Sequence, residues 1–251
     1  MKKNFFGGVA VKKFELECQK EILGSGPYEY FIYSTEEAEE LNFKYLRSYS
    51  VYVYYKAPKA SIISLGLKKE ICEGDCIQVE DVQDCLKISG GIVKLLISGT
   101  TYQHPNLKGL FFTKHADIYR VEKPWGHELW INGQHPCYAL KKIFIKTGTK
   151  TSLQYHNFKQ ETNVLFQGIA KLHYKKNLLV ENDLVTSADI GTTVLEPNSV
   201  ADVSPLTLHR LEAMTDILLF ETSTPHLDDV VRVQDDSKRS HGRLVEEHMK
   251  T

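Results

Sequence analysis

The chain is built from short alternating apolar runs cut by Gly, Pro, Asn and Asp. Ser50-Val-Tyr-Val-Tyr-Tyr, Ile92-Val-Lys-Leu-Leu-Ile, Ala139-Leu-Lys-Lys-Ile-Phe-Ile, Lys171-Leu-His-Tyr and Asp216-Ile-Leu-Leu-Phe-Glu are of strand length. Successive side chains of a strand point to opposite faces, so such runs bury one face while the breaks between them turn the chain. Runs of this length and spacing predict an all-β sandwich or barrel. One segment reads otherwise. Glu36 to Tyr45 predicts a helix, with Ser34 or Thr35 as its cap and acidic residues in its first turn.

A chain of 251 residues has room for one large β unit or two smaller domains. Breaks in composition near Thr100 to Pro105 and at Glu122-Lys-Pro-Trp-Gly place a boundary around residue 112, giving domains 1–112 and 113–251. A cadence of turn, strand, loop and strand at Glu73-Gly-Asp through Gly90-Gly-Ile-Val-Lys-Leu-Leu-Ile returns at Glu196-Pro-Asn-Ser-Val and Met214-Thr-Asp-Ile-Leu-Leu-Phe-Glu, so the two parts are expected to share one architecture. A formal net charge of −1 points away from nucleic acid and from an acidic membrane surface. No apolar run approaches the length of a membrane span, and the basic start carries too short an apolar run for a signal peptide. Cys18, Cys72, Cys76, Cys85 and Cys137 are odd in number and lack framework spacing, which implies a reducing, cytoplasmic compartment. Cys72, Cys76 and Cys85 offer three thiolates to a zinc ion. With no CxxC pair and no fourth ligand, small residues in a β domain is the preferred reading. The charged tail from Gln234 to Thr251 reads as a surface helix or a partly ordered end.

The chemistry concentrates between Gly148 and Gly168. Gln154 and His156 lie two apart, so on an extended strand they face the same way. A turn through Asn157, Phe158, Lys159 and Gln160 is expected to bring Glu161 back on a neighbouring strand. His209 comes from a later stretch of similar character. Two imidazoles, one carboxylate and one amide oxygen can converge on a single cation if these strands pack into one barrel. The set has no thiolate, which suits Zn, Fe, Mn, Ni or Co, with Zn the first expectation. Three strong ligands and a weak amide leave room for water or a substrate oxygen. A lone histidine is ordinarily a satisfied polar residue, and His104, His115, His135, His173, His241 and His248 are read so, with His127 and His226 left open.

The spacing Gly148-x5-Gln154-x-His156-x4-Glu161-x6-Gly168 resembles the first motif of the cupins, with Gln154 where the first histidine usually stands. Pro197 to His209 resembles the second motif, with a longer loop. Val121-Glu-Lys-Pro-Trp-Gly-His-Glu, Thr151-Ser-Leu-Gln-Tyr-His, His209-Arg-Leu-Glu and Phe220-Glu-Thr-Ser-Thr-Pro-His-Leu-Asp-Asp-Val-Val-Arg, in that order, resemble the cupin-type (type II) mannose-6-phosphate isomerase domain over roughly residues 118–243. The resemblance implies a double-stranded β-helix of jelly-roll type. It implies a divalent metal on Gln154, His156, Glu161 and His209, and aldose–ketose isomerisation of a sugar phosphate in carbohydrate or polysaccharide precursor metabolism. Lys159, Arg210 and Arg232 become the candidate catalytic and phosphate-holding cations, with Arg243 behind them. By the same analogy the protein is a homodimer, and the N-terminal part is a second, metal-free cupin, making the chain a bicupin.

This sequence also departs from that family. The usual His-His-His-Arg-x-Glu-His-Trp is here His156-Asn-Phe-Lys159-Gln-Glu161-Thr-Asn, and the late Asp-x-Tyr-Gly-Arg is Ser237-Lys-Arg-Ser-His-Gly-Arg243. Lys159 keeps the charge of the arginine and loses its planar fork. Residues 1–110 carry no Gly-rich nucleotide loop, which argues against guanylyltransferase activity. Two rival readings follow: a non-catalytic pocket for a sugar or sugar nucleotide, and an Fe(II) cupin oxygenase using two histidines and one carboxylate. Asp228-Asp229 is read as capping a turn or anchoring an arginine. Trp125 and Trp130 are read as packing the barrel wall.

Overall fold

The computed structural model describes residues 9–13, 20–22, 27–36, 38–104, 106–175, 190–237 and 242–243. Cys18, His241, His248 and most of the charged tail lie outside these. The five alternating runs are all strands, and among the described residues the one helix is the short 3-10 turn His115–Asp117. The fold is all-β, as the alternation predicts.

The chain divides into two compact units, 15–119 with 130–140, and 1–14 with 120–129 and 141–251. The second carries the metal motif. Its first sheet has seven strands in the order Val9–Lys13, Ser199–Val203, Glu161–Gln167, Ile217–Ser223, Ala139–Ile145, Gly126–Asn132 and Tyr119–Lys123. Its other sheet has six strands in the order Gly191–Leu195, Ala170–Lys175, Leu208–Ala213, Leu153–Tyr155, Val231–Gln234 and Gly242–Arg243. Ile143, Ile145, Leu165, Val203 and Leu219 of the first pack with Ala170, Leu172, Leu195 and Leu211 of the second. Trp125 joins this core, while Trp130 packs edge-on against Tyr119. Burying these side chains is the main favourable term in folding the unit.

The other unit pairs a six-stranded sheet (Gly109–Thr113, Cys76–Glu80, Ser48–Lys56, Val93–Thr100, Glu29–Thr35, Lys20–Ile22) with a four-stranded one (Glu39–Leu41, Leu86–Ser89, Ser61–Ser64, Lys69–Glu70). Phe31, Val51, Ile62, Ile88, Leu95 and Ile97 lie in its hydrophobic core. The helix expected over Glu36 to Tyr45 is absent here. Glu39–Leu41 is a strand instead, antiparallel to Leu86–Ser89, with Leu41 opposite Leu86, and Phe43 and Leu46 are buried in the core beyond it. The segment favours helix by composition, but intrinsic propensity is a weak preference and pairing to a neighbouring strand overrides it.

Gly168 ends the strand Glu161–Gln167 at φ 85°, and a Cβ built there would sit 2.1 Å from the carbonyl oxygen of Asp216. Both the left-handed backbone and the close approach require glycine. Gly168→Ala is expected to lower unfolding stability by more than ~1 kcal/mol, measured by denaturant titration.

Candidate metal centre

His156 follows directly on the strand Leu153–Tyr155 of the six-stranded sheet, and Glu161 opens the strand Glu161–Gln167 of the seven-stranded one. The turn between them therefore crosses from sheet to sheet, where a return to a neighbouring strand was expected. His209 comes from Leu208–Ala213, directly opposite Gln154 in the ladder. The three side chains meet at one end of the space between the sheets. One ligand atom from each of His156, Glu161 and His209 lies within 4.8 Å of the others. This is the one such histidine, cysteine and carboxylate cluster among the described residues. Cys72, Cys76 and Cys85 form none, and with Cys137 they are free thiols.

Two backbone carbonyls orient the imidazoles. Nδ1 of His209 donates to the carbonyl of Thr207 at 2.9 Å, and Nδ1 of His156 donates to the carbonyl of Asp229. That leaves Nε2 of each ring as the lone-pair atom. Nε2 of His209 faces Oε1 of Glu161 at 3.1 Å, and Nε2 of His156 faces Oε2 at 3.4 Å. The latter nitrogen is buried with no hydrogen-bond partner. A buried acceptor aimed at a carboxylate lacks a positive centre between them, so this donor set fits a divalent cation. Gln154 lines the same pocket, its amide oxygen accepting from the Ser152 hydroxyl at 2.7 Å. Gln154, His156, Glu161 and His209, joined by the sequence spacing, would hold such an ion.

A ladder of buried charge leads away from the centre. Nζ of Lys159 donates to Oε2 of Glu161 at 2.6 Å and to Oε1 of Glu221 at 2.7 Å. Lys141 lies 3.9 Å from Glu221 and 3.5 Å from Glu128. All five are under a tenth exposed. Burial alone would raise the Glu161 carboxyl, but the Lys159 ammonium and the two imidazoles hold it well below the ordinary carboxylate range. Burial would lower the Lys159 ammonium, but Glu161 and Glu221 raise it, so it keeps its proton. Burial, helped by the Lys159 charge, lowers the His156 imidazole despite Glu161. His209 is raised, because Glu161 outweighs burial there and Lys159 weighs less.

The pocket encloses about 770 Å³ including its mouth, and Trp125, Lys123, Lys141, Lys159, Glu221 and Arg232 line it with the metal set. Of the cations expected from sequence, Arg232 is at the pocket with its Nε 3.3 Å from Asp235, and Lys159 is tied to the two glutamates. Arg210 is not among the lining residues. Its guanidinium donates to the carbonyl of Thr151 and to Asp236. Only the backbone of Arg243 is described, at the sheet edge. Sequence reasoning missed Glu221, Lys141 and Glu128. Parity was the available signal, since Glu221 shares its face with Leu219, and Lys141 with Ile143 and Ile145, all of them inward. His173 and His135 are bonded to Glu212 and Glu80, as satisfied polar residues. Asp229 caps the turn after His156, as its sequence context suggested.

Residues 111–235 match the family described as "Mannose-6-phosphate isomerase C-terminal". This segment has the all-β cupin fold. The cupin fold of the chain recurs in solved structures of low sequence identity. Oxalate decarboxylase from Bacillus subtilis is 10% identical, with a TM-score of 0.61, over 90% of this chain and 75% of that one. Oxalate decarboxylase from Lactobacillus farciminis is 9% identical, with a TM-score of 0.58, over 90% of this chain and 84% of that one. Quercetin 2,3-dioxygenase from Acinetobacter baumannii is 12% identical, with a TM-score of 0.54, over 79% and 74% of the two chains. No curated protein matches the chain in sequence. Among the described residues no helix is long and apolar enough to cross a membrane.

Elemental analysis is expected to find a divalent metal in the purified wild-type protein and none in His156→Ala. Metal affinity is also expected to depend on pH with a definite sign. Below its raised pKa, His209 carries a proton toward Glu161 that the metal must displace. Affinity measured by calorimetry should therefore fall as pH drops below that pKa, by about tenfold per unit for the one displaced proton.

Proposed function

We propose that the protein is a metal-dependent aldose–ketose isomerase acting on a phosphorylated sugar, of the mannose-6-phosphate isomerase type. The observation that carries this reading is the meeting of His156, Glu161 and His209 within 4.8 Å, in the segment that matches that family. A divalent ion is supported by the donor set, and the Bacillus subtilis neighbour is described as having Mn(II) centres. Zn remains the first choice, with Fe, Mn, Ni and Co suited to the same ligands.

A divalent ion held by Gln154, His156, Glu161 and His209 would supply Lewis-acid polarisation of the sugar's carbonyl oxygen. The protein's own groups divide the remaining work. Lys159 keeps its proton and pairs with Glu161 and Glu221, so it fixes the two carboxylates and is a donor, never the base. Of Glu128 and Glu221, the two further carboxylates lining the pocket, Glu221 shares the Lys159 ammonium with Glu161 and is assigned to carry the proton between adjacent sugar carbons. Its Oε1 is engaged by Lys159, so the transfer falls to Oε2. Arg232 and Lys123, both lining the pocket, supply positive charge for the phosphate. Lys159, also proposed from sequence for this part, is committed within the pocket to Glu161 and Glu221, and Arg210 is bonded to Thr151 and Asp236. The remaining elements of the proposal are a cytoplasmic homodimer and a second, metal-free cupin in the other unit. That unit has two sheets with a hydrophobic cluster of its own.

The test is turnover by the metal-replete protein of mannose 6-phosphate to fructose 6-phosphate, lost on chelation and regained on adding metal. Glu221→Gln is expected to lower kcat about 10²–10⁴-fold while the metal content stays unchanged. A metal-loaded protein inert toward hexose, pentose and heptose phosphates overturns the isomerase reading. Sugar binding without turnover would then mark a sensor, and Fe(II)-dependent oxygen uptake would mark an oxygenase.

A further inference from the structure

The crossing turn between His156 and Glu161 is held mainly from one side. Oδ2 of Asp229 accepts from the backbone N–H of Phe158 at 2.5 Å and of Lys159 at 3.0 Å, and Oδ1 accepts from the Asn157 side-chain amide at 2.9 Å. The carbonyl of the same residue accepts from Nδ1 of His156. Four consecutive residues, 156–159, are thus bonded to Asp229, which is itself under a tenth exposed. The far end of the turn is pinned separately. The Thr224 hydroxyl accepts from the N–H of Gln160 at 3.1 Å, and its own N–H donates to the Gln160 carbonyl at 3.0 Å.

The orientation of His156 depends on where that carbonyl sits. A peptide carbonyl is as free as its backbone, and here the backbone is tied to the turn through the residue's own carboxylate. We infer that Asp229 is the positioning residue of the metal centre: its carboxylate folds the crossing turn, and its carbonyl selects the His156 tautomer that leaves Nε2 for the ion. Asp229 thereby sets metal affinity without touching the metal. The inference rests on the reading that His156, Glu161 and His209 bind a divalent cation. The same carboxylate also starts Lys159 at the place from which its ammonium reaches Glu161.

The test is calorimetric titration of Mn²⁺ and Zn²⁺ into metal-stripped full-length protein. Asp229→Ala is expected to weaken binding about 10–100-fold, the usual effect of losing a partner that orients a metal-bound histidine. Asp229→Asn is expected to weaken it less. Its single carbonyl oxygen can still accept from Phe158 and Lys159, and the Asn157 amide can turn over to meet its NH₂. Thr224→Val removes a bond from the same turn without touching His156, and is expected to lower Tm but leave metal affinity unchanged. Equal affinity in wild type and Asp229→Ala overturns the inference, as does an affinity loss in Thr224→Val matching that of Asp229→Ala. If Asp229→Ala does not fold, the histidine tautomers of the metal-free wild type, read by ¹⁵N NMR, decide. A proton on Nδ1 of His156 supports the inference and one on Nε2 overturns it. Wild-type protein that binds neither ion removes the metal reading itself, and this inference with it.

Discussion

Two hydrogen bonds from imidazole Nδ1 atoms to backbone carbonyls fix the chemistry of this molecule. They point two lone pairs at one carboxylate in a space that water barely reaches. Without them each ring could present either nitrogen to the carboxylate. The fold provides for this by bringing three parts of the chain to one end of a two-sheet sandwich. The strand Leu153–Tyr155 delivers Gln154 and His156, Leu208–Ala213 delivers His209, and a turn across the gap delivers Glu161 on the facing sheet. The apolar core below needs no polar group, so the polar set collects where the packing stops.

The ladder from Glu161 through Lys159, Glu221 and Lys141 to Glu128 lies on four adjacent strands and the crossing turn that feeds the first of them. Three carboxylates face two ammonium groups, so the formal balance is one negative charge before any ion binds. Buried charges are tolerable only when each has a partner, and removing one member of such a pair costs about 3–5 kcal/mol. The ladder is therefore self-consistent only as a whole. Lys159 is its hinge, bridging a metal-binding carboxylate and the one assigned to proton transfer.

Much of this was legible in residues. Alternation located the strands because a half-buried sheet imposes a period of two. The spacing of Gln154, His156 and Glu161, with His209 downstream, singled out side chains that the fold brings to one pocket, because lone-pair donors of that kind stand out in sequence. The sequence offers Asp229 as a turn cap or an arginine anchor and hides its contact with His156, since that is made by a backbone carbonyl, which leaves no mark on sequence. Glu221 and Lys141 hid inside runs that look like ordinary strand, where a single inward charge is visible only once the face is known. Glu36 to Tyr45 misled because helix propensity is a local quantity and strand pairing is not. The crossing of the turn between sheets was equally hidden, since a short polar link reads alike within a sheet or between two.

The strand Val9–Lys13 pairs along its whole length with Ser199–Val203 at the rim of the seven-stranded sheet. Residues from the very front of the chain thus cover the open edge of the unit that holds the metal ligands. A fragment trimmed to the family segment would leave that edge's amide and carbonyl groups bare, an invitation to stick to its own kind. Whoever wishes to isolate the unit carrying His156, Glu161 and His209 should graft those few residues back on rather than cut cleanly in front of it.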